Sequence, residues 1–220
     1  MGILTTDEAV GVDVANVFNQ LSGYSMNTSY RRLLVAPHSI RSGLLERIER
    51  EVANHRAGLP ARVRFKCNSI VDERVIDALY RASQEGVPVD VWVRGICAIR
   101  PGVPGMSESI RVRSILGRFL EHSRAYEFRN AGEPEVWIGS ADLMHRNLDR
   151  RVETLVSLKE PLHVDIVNDL FEFAFDPGTA AWDLDSDGVW HRRMFDEHGE
   201  PLEDLQQRLI NASHRGGAIV

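Results

Sequence analysis

Apolar residues along this chain recur with two different periods, and the switches between them mark out its elements. Val10, Val14, Val17, Phe18 and Leu21 keep helical spacing behind Thr6, which can cap the first turn, and Ser22-Gly23-Tyr24-Ser25 closes the segment. Leu33-Leu34-Val35-Ala36 is a continuous apolar run stopped by Pro37, the pattern of a strand buried on both faces. Ser39 is placed to cap a second helix with Leu44, Leu45, Ile48 and Val52 inward and Gly58 near its end. Val63, Phe65 and Cys67 alternate with Arg62, Arg64 and Lys66, which predicts a strand with one wet face. Asp72 caps a third helix, with Val75, Ile76 and Leu79 inward and Gly86 terminating it; Val89-Asp90-Val91-Trp92-Val93 is the strand that follows.

Further on, Pro101, Gly102, Pro104 and Gly105 make residues 96–109 a long rigid loop. Residues 114–120 read as a short helix. Residues 125–128 and 135–138 predict a hairpin about Asn130-Ala131-Gly132, and 152–156 a strand. A helix over 161–173 is expected to bury Leu162, Ile166, Leu170 and Phe173. From Trp190 a strand and a helix carrying Leu202, Leu205, Leu209 and Ile210 are expected, with Gly216-Gly217 frayed. Strand, helix, strand, helix, strand implies βαβ crossovers: an α/β fold with a mixed, largely parallel sheet flanked by helices. Ligands of such sheets sit at the carboxyl ends of strands, where Lys66, Asn68, Arg94 and Gly95 fall.

The chain's 220 residues suffice for one sizeable domain. No apolar run is long enough to span a membrane, and no secretory signal is visible. Two cysteines, Cys67 and Cys97, lie far apart in apolar runs and read as reduced, buried thiols of a cytoplasmic protein. No set of residues has metal-ligand spacing. Asp183-Leu184-Asp185-Ser186-Asp187-Gly188 matches the start of a calcium loop, but the twelfth position is Met194 where a bidentate Glu is needed, so an acidic surface turn is expected.

The net charge of -6 conceals an asymmetry. Residues 1–93 balance 11 Lys/Arg against 11 acids, 94–151 carry 10 Arg against 7 acids, and 152–220 carry 5 Lys/Arg against 14 acids. The middle segment alone is basic, as a site for a polyanion should be. It holds His122, with Arg124 two residues on, so both project from one face of an extended strand. Gly139-Ser140-Ala141-Asp142 follows the hairpin, then Arg146, Asn147, Arg150 and Arg151. An imidazole beside guanidinium groups and a small Gly-Ser turn suits an anionic phosphoryl group. A Walker-type loop is excluded, because 96–109 lacks the Gly-Lys-Ser/Thr ending.

His-x-Arg, a hairpin and Gly-Ser-x-Asp resemble one half-site of the phospholipase D superfamily. R-F-L-E-H-S-R with G-S-A-D-L-M-H-R-N-L-D-R-R-V-E resembles the C-terminal catalytic region of bacterial polyphosphate kinase. F-N-Q-L-S-G-Y-S, K-C-N-S-I-V-D, A-L-Y-R-A-S and the run from V-R-G-I-C-A-I-R to R-F-L-E-H match that family in the same order. The resemblance covers residues 4–156. It implies a phospholipase D-like domain half over 23–175, an N-terminal helix over 1–22 and an acidic extension over 176–220 packed on the same domain. Met1-Gly2 reads as an added start, because Ile3-Leu4-Thr5-Thr6-Asp7 resembles the interior of the family's sequence.

The activity implied is reversible transfer of the ATP γ-phosphoryl group to inorganic polyphosphate, through a phosphohistidine in a half-site not contained here. His122 is then the partner histidine, Arg94 and His122 contact ATP or ADP, and Arg124, Arg146, Arg151, Asn68 and Ser140 are weaker phosphate ligands. Magnesium is expected from the family, without ligands identified in this sequence. The missing N-terminal part and a second copy are the expected partners, with no nucleic acid, and the place is the cytoplasm or the membrane periphery. The other seven histidines, His145 among them, show no pairing and read as structural or exposed. Arg124 and Arg129 stand where phosphodiesterases of the superfamily have Lys and Asp. A homodimeric phosphodiesterase and a non-catalytic polyanion-binding or nucleotide-binding module are the alternatives.

Overall fold

The computed structural model of the chain describes residues 2–24 and 29–214. Its first half runs α1 (Glu8–Leu21), β1 (Leu33–Val35), α2 (Ile40–Arg56), β2 (Val63–Cys67), α3 (Glu73–Gln84), β3 (Val89–Val93) and β4 (Ile110–Ser114). The second runs β5 (Arg124–Phe128), β6 (Glu135–Gly139), β7 (Thr154–Ser157), α4 (Pro161–Phe175), β8 (Ala181–Leu184), β9 (Trp190–Arg193) and α5 (Leu205–His214). The strands form one mixed sheet in the order β1-β7-β6-β5-β2-β3-β4-β8-β9. Helices flank it, as expected. One core packs α2 and α3 on the sheet through Leu44, Ile48, Val75 and Leu79, and a second packs α4 and α5 on the opposite face through Val167, Leu170, Phe171 and Leu205.

The sheet is less parallel than expected. Parallel pairing is confined to β2 with β3 and β3 with β4, and the other six pairings are antiparallel. The βαβ reading holds for β2-α3-β3. It fails for β1, which goes to the sheet edge beside β7. Strand β5 takes the place next to β2 and β6 pairs beyond it, the two joined by the short turn that antiparallel neighbours allow.

The wet face expected on β2 is buried: Arg64 is 1% exposed and Lys66 3%. Helix α4 and the segment before β5 cover that side. Arg64 is satisfied there by Glu127 at 2.7 Å, Glu172 at 2.8 Å and Asn168 at 2.6 Å. Alternation marked the strand correctly, but it does not reveal that carboxylates and an amide offset the desolvation cost of a buried arginine.

Other differences are local. Asp7, not Thr6, caps α1, accepting from the Ala9 amide. Only Val17 of its expected apolar stripe is buried; the helix is tied down instead by buried Asp13, whose carboxylate accepts from the amides of Arg31, Arg32 and Leu33. Ser39 starts α2 without a side-chain cap, its hydroxyl being turned to the Val35 amide. In α4 the inward face is set by Val167, Leu170 and Phe171, and Leu162 is exposed. Strands β4 and β8 stand where none was expected, and no helix forms over 114–120. Of the run from Asp183 to Gly188, the first two residues end β8 and the rest form the β8–β9 turn, where Asp185 accepts from the Asp187 and Val189 amides and pairs with His191. Ser25, Met1 and Gly216-Gly217 lie outside the described residues.

Candidate functional site

The carboxyl ends of β2, β3 and β6 meet the amino end of β5 at one rim of the sheet. Asn68 follows β2, Arg94 follows β3, and Arg124 opens β5 opposite Gly139, which ends β6. Gly139 is required there, because a Cβ would run into the Thr154 carbonyl of β7. Ser140 continues the approach, its amide on the Thr154 carbonyl and its hydroxyl accepting from the Thr154 amide.

These side chains form a continuous relay. Arg94 Nε donates to Asn68 Oδ1 at 2.8 Å, and the Asn68 amide donates to Asp142 Oδ1 at 2.7 Å. Arg124 grips the same carboxylate through Nε at 3.2 Å and a terminal nitrogen at 2.8 Å. The other terminal nitrogen of Arg124 lies 3.0 Å from His122 Nδ1 and donates to the His122 carbonyl at 2.7 Å. His122 itself is exposed. Arg124, Ser140 and His122 line an open cleft of about 680 Å³.

The expected constellation is therefore partly assembled. His122, Arg124, Asn68 and Arg94 join one network and Ser140 borders the cleft, but Arg94 is not among the cleft's lining residues and reaches His122 through three intermediates. Arg151 stands apart, 3.9 Å from Glu153. Arg146 and Arg150 are exposed in the helical turn Arg146–Arg150, and its Asn147 is buried, donating to Glu153 at 2.7 Å.

Four residues not among the candidate phosphate ligands, Asp142, Lys66, Glu121 and Ser123, hold this site together. Asp142 is the hub. Burial pushes its carboxyl up, but the Arg124 and Asn68 hydrogen bonds outweigh this and hold it below the usual range. Lys66, Glu121 and Ser123 form a second cluster beneath His122, with Lys66 Nζ 3.1 Å from Glu121 and 2.9 Å from both the Ser123 carbonyl and hydroxyl. Burial lowers the Lys66 pKa despite Glu121. Burial likewise raises that of Glu121, yet Lys66 and the Ser123 hydroxyl and amide bring it down to about 2. The sequence signal for Asp142 was its place in the Gly-Ser-x-Asp run, for Lys66 its place at a strand's carboxyl end, and for Glu121 only its place in R-F-L-E-H-S-R.

His145 is paired, contrary to expectation: its ring nitrogens lie 2.7 Å from Glu73 and 3.0 Å from Asp149, and these carboxylates raise its pKa. Asp72, Glu73 and His145 bring potential ligand atoms within 4.8 Å of one another. They do not fit magnesium. Asp72 Oδ2 already takes two Arg41 nitrogens at 2.7 and 2.9 Å, Oδ1 caps α3, and an imidazole is a poor ligand for so hard a cation. Glu121 and Asp142 are committed to Lys66 and Arg124 in the same way.

A mixed sheet flanked by helices, with a histidine and guanidinium groups gathered at one rim, defines an α/β domain suited to an anionic ligand. The chain belongs to the polyphosphate kinase C-terminal domain 2 family, whose model matches residues 33–203. It is 61% identical over 215 residues to the polyphosphate kinase of Streptomyces coelicolor, covering 98% of this chain and 29% of that protein. Identity to the Mycobacterium avium polyphosphate kinase is 60% over 210 residues, covering 96% and 28%. The crystal structure of polyphosphate kinase from Porphyromonas gingivalis matches with a TM-score of 0.88 at 32% identity, over 97% of this chain and 33% of that one. The chain spans less than a third of the length of these two curated relatives. No helix among the described residues is long and apolar enough to cross a membrane.

Proposed function

We propose that this domain supplies one half of an ATP site in a polyphosphate kinase, which moves the γ-phosphoryl group of ATP reversibly onto polyphosphate through a phosphohistidine held by another part of the polypeptide. The single observation that carries this reading is the relay from Arg94 through Asn68, Asp142 and Arg124 to His122 beside an open cleft. Phosphoryl transfer needs positioning and charge neutralisation more than covalent help, and guanidinium groups supply both. Among the described residues the Arg94 guanidinium bonds through Nε to Asn68, which leaves its terminal nitrogens to fork onto two phosphate oxygens. The shorter Arg124 contact to the His122 ring falls at Nδ1, which favours the tautomer with hydrogen on Nε2. That nitrogen can then donate to a phosphate oxygen or assist the leaving group. Magnesium, where present, would come with the nucleotide phosphates, since Glu121 and Asp142 beside the cleft are already paired with Lys66 and Arg124.

Calorimetric binding of a non-hydrolysable ATP analogue to this chain tests the assignment. Arg94→Ala and His122→Ala should each raise Kd about 10- to 100-fold, the range of a lost charge-assisted hydrogen bond. In the full-length enzyme either change should abolish synthesis. Normal synthesis in His122→Ala would remove the role assigned to that residue. Binding of polyphosphate with no nucleotide preference would favour a non-catalytic polyanion module instead.

A further inference from the structure

Between the end of β4 at Ser114 and the start of β5 at Arg124 the chain runs without regular structure, and this loop carries His122. After Ile115, which is 5% exposed in the second core, its large apolar side chains do not anchor it: Leu116 is 62% exposed, Phe119 54% and Leu120 75%. A loop so lightly packed should sample many conformations, which is a poor way to hold a functional imidazole. Besides the Arg124 contacts to His122, two polar attachments from outside the strand restrain it. The Gln206 carboxamide on α5 accepts from the Phe119 amide at 2.8 Å and donates to the Phe119 carbonyl at 2.8 Å, the pair of bonds a neighbouring strand would make. Gly117 lies so close to Gln206 that a Cβ there would collide with the carboxamide. Below, buried Lys66 bonds the residues on both sides of His122, and its ammonium lies 4.4 Å over the Trp92 ring.

Helix α5 is itself seated. Leu205 is 1% exposed in the second core, and the Arg208 guanidinium lies 4.0 Å over the Phe173 ring of α4. Gln206 thus transmits the position of a packed helix to the loop. We infer that Gln206 and Lys66 are positioning residues for His122, so that the acidic C-terminal segment is part of the site. The importance of His122 rests on the function proposed above; the restraint of the loop does not.

The test uses the 220-residue chain and two separate readouts. Amide exchange at Phe119 and the ring signals of His122, followed by NMR, report the loop; calorimetry with the ATP analogue reports the function. Gln206→Ala should speed exchange at Phe119 about tenfold, as expected for two lost exposed hydrogen bonds, and shift or broaden the His122 ring signals. Gln207→Ala removes only a bond to Asn211 within α5 and should leave both unchanged. Lys66→Met removes the ammonium that holds Glu121 and the Ser123 carbonyl and hydroxyl, and should likewise shift or broaden the His122 ring signals. Should it fail to fold, half-buried Gln206→Ala decides alone. Unchanged Phe119 exchange and His122 signals in Gln206→Ala would overturn the proposal. A freed loop in a chain that never binds the analogue would sink the nucleotide assignment and leave the positioning role standing.

Discussion

Asp142 accepts from four donors: the amide and side chain of Asn68 and two nitrogens of Arg124. An isosteric Asn would turn an NH2 group towards some of those donors and discard the charge that attracts the arginine. Asp142→Asn should therefore weaken binding of the ATP analogue about tenfold by calorimetry while leaving far-UV circular dichroism unchanged. Glu121 gives a prediction with a pH sign. Its folded pKa of about 2 lies below the ordinary 4.5, so its contribution is present above about pH 4.5 and lost as pH falls towards 2. Glu121→Gln should cost about 1–2 kcal/mol near neutrality, after allowance for partial exposure, and nothing at the acid end; urea titrations across that range will check it. Individual residues were unevenly legible. His122 and Arg124 stood out by type and spacing. Asp142 stood out only as the last residue of the Gly-Ser-x-Asp run, because a carboxylate becomes a hub when strands distant in the chain bring donors to it.

At the scale of elements, β2 is the clearest case of a strand correctly placed and wrongly dressed. Alternation located it, but which face is wet depends on whether α4 lies across it, a contact spanning some hundred residues. The resulting ion pair makes Arg64→Ala costly: Glu127, fully buried, would lose its partner, and unfolding should be easier by about 3–5 kcal/mol in denaturant titrations. A helix over 114–120 was a fair reading of Ile115, Leu116, Phe119 and Leu120, but Phe119 spends its backbone groups on Gln206. In the β8–β9 turn Asp185 is already occupied by two amides and His191, and Met194 offers no carboxylate. Calcium should accordingly leave the melting temperature within error of that in chelator, measured by scanning calorimetry.

For the whole molecule, the basic middle segment sits between a neutral first part and a strongly acidic end. In the folded chain β8 and β9 extend the sheet beyond β4 and α5 packs on the second core, so the acidic end is in contact with the basic segment through Arg113 on Asp183 at 2.7 Å. Polyphosphate binding to the chain should fall linearly on a log–log plot against salt, because a polyanion releases counterions when guanidinium groups replace them. Titrations at several salt concentrations will give the slope. By itself the sequence determined the family motifs, the α/β character, most element positions and the chemistry at one rim, since these depend on periodicity and residue type over short spans. Tertiary structure alone decided the mostly antiparallel pairing, the burial of Arg64 and Lys66, and the joining of Arg94 to His122 through Asp142. Those outcomes depend on which distant segments come to lie side by side, and short-range pattern carries no record of that.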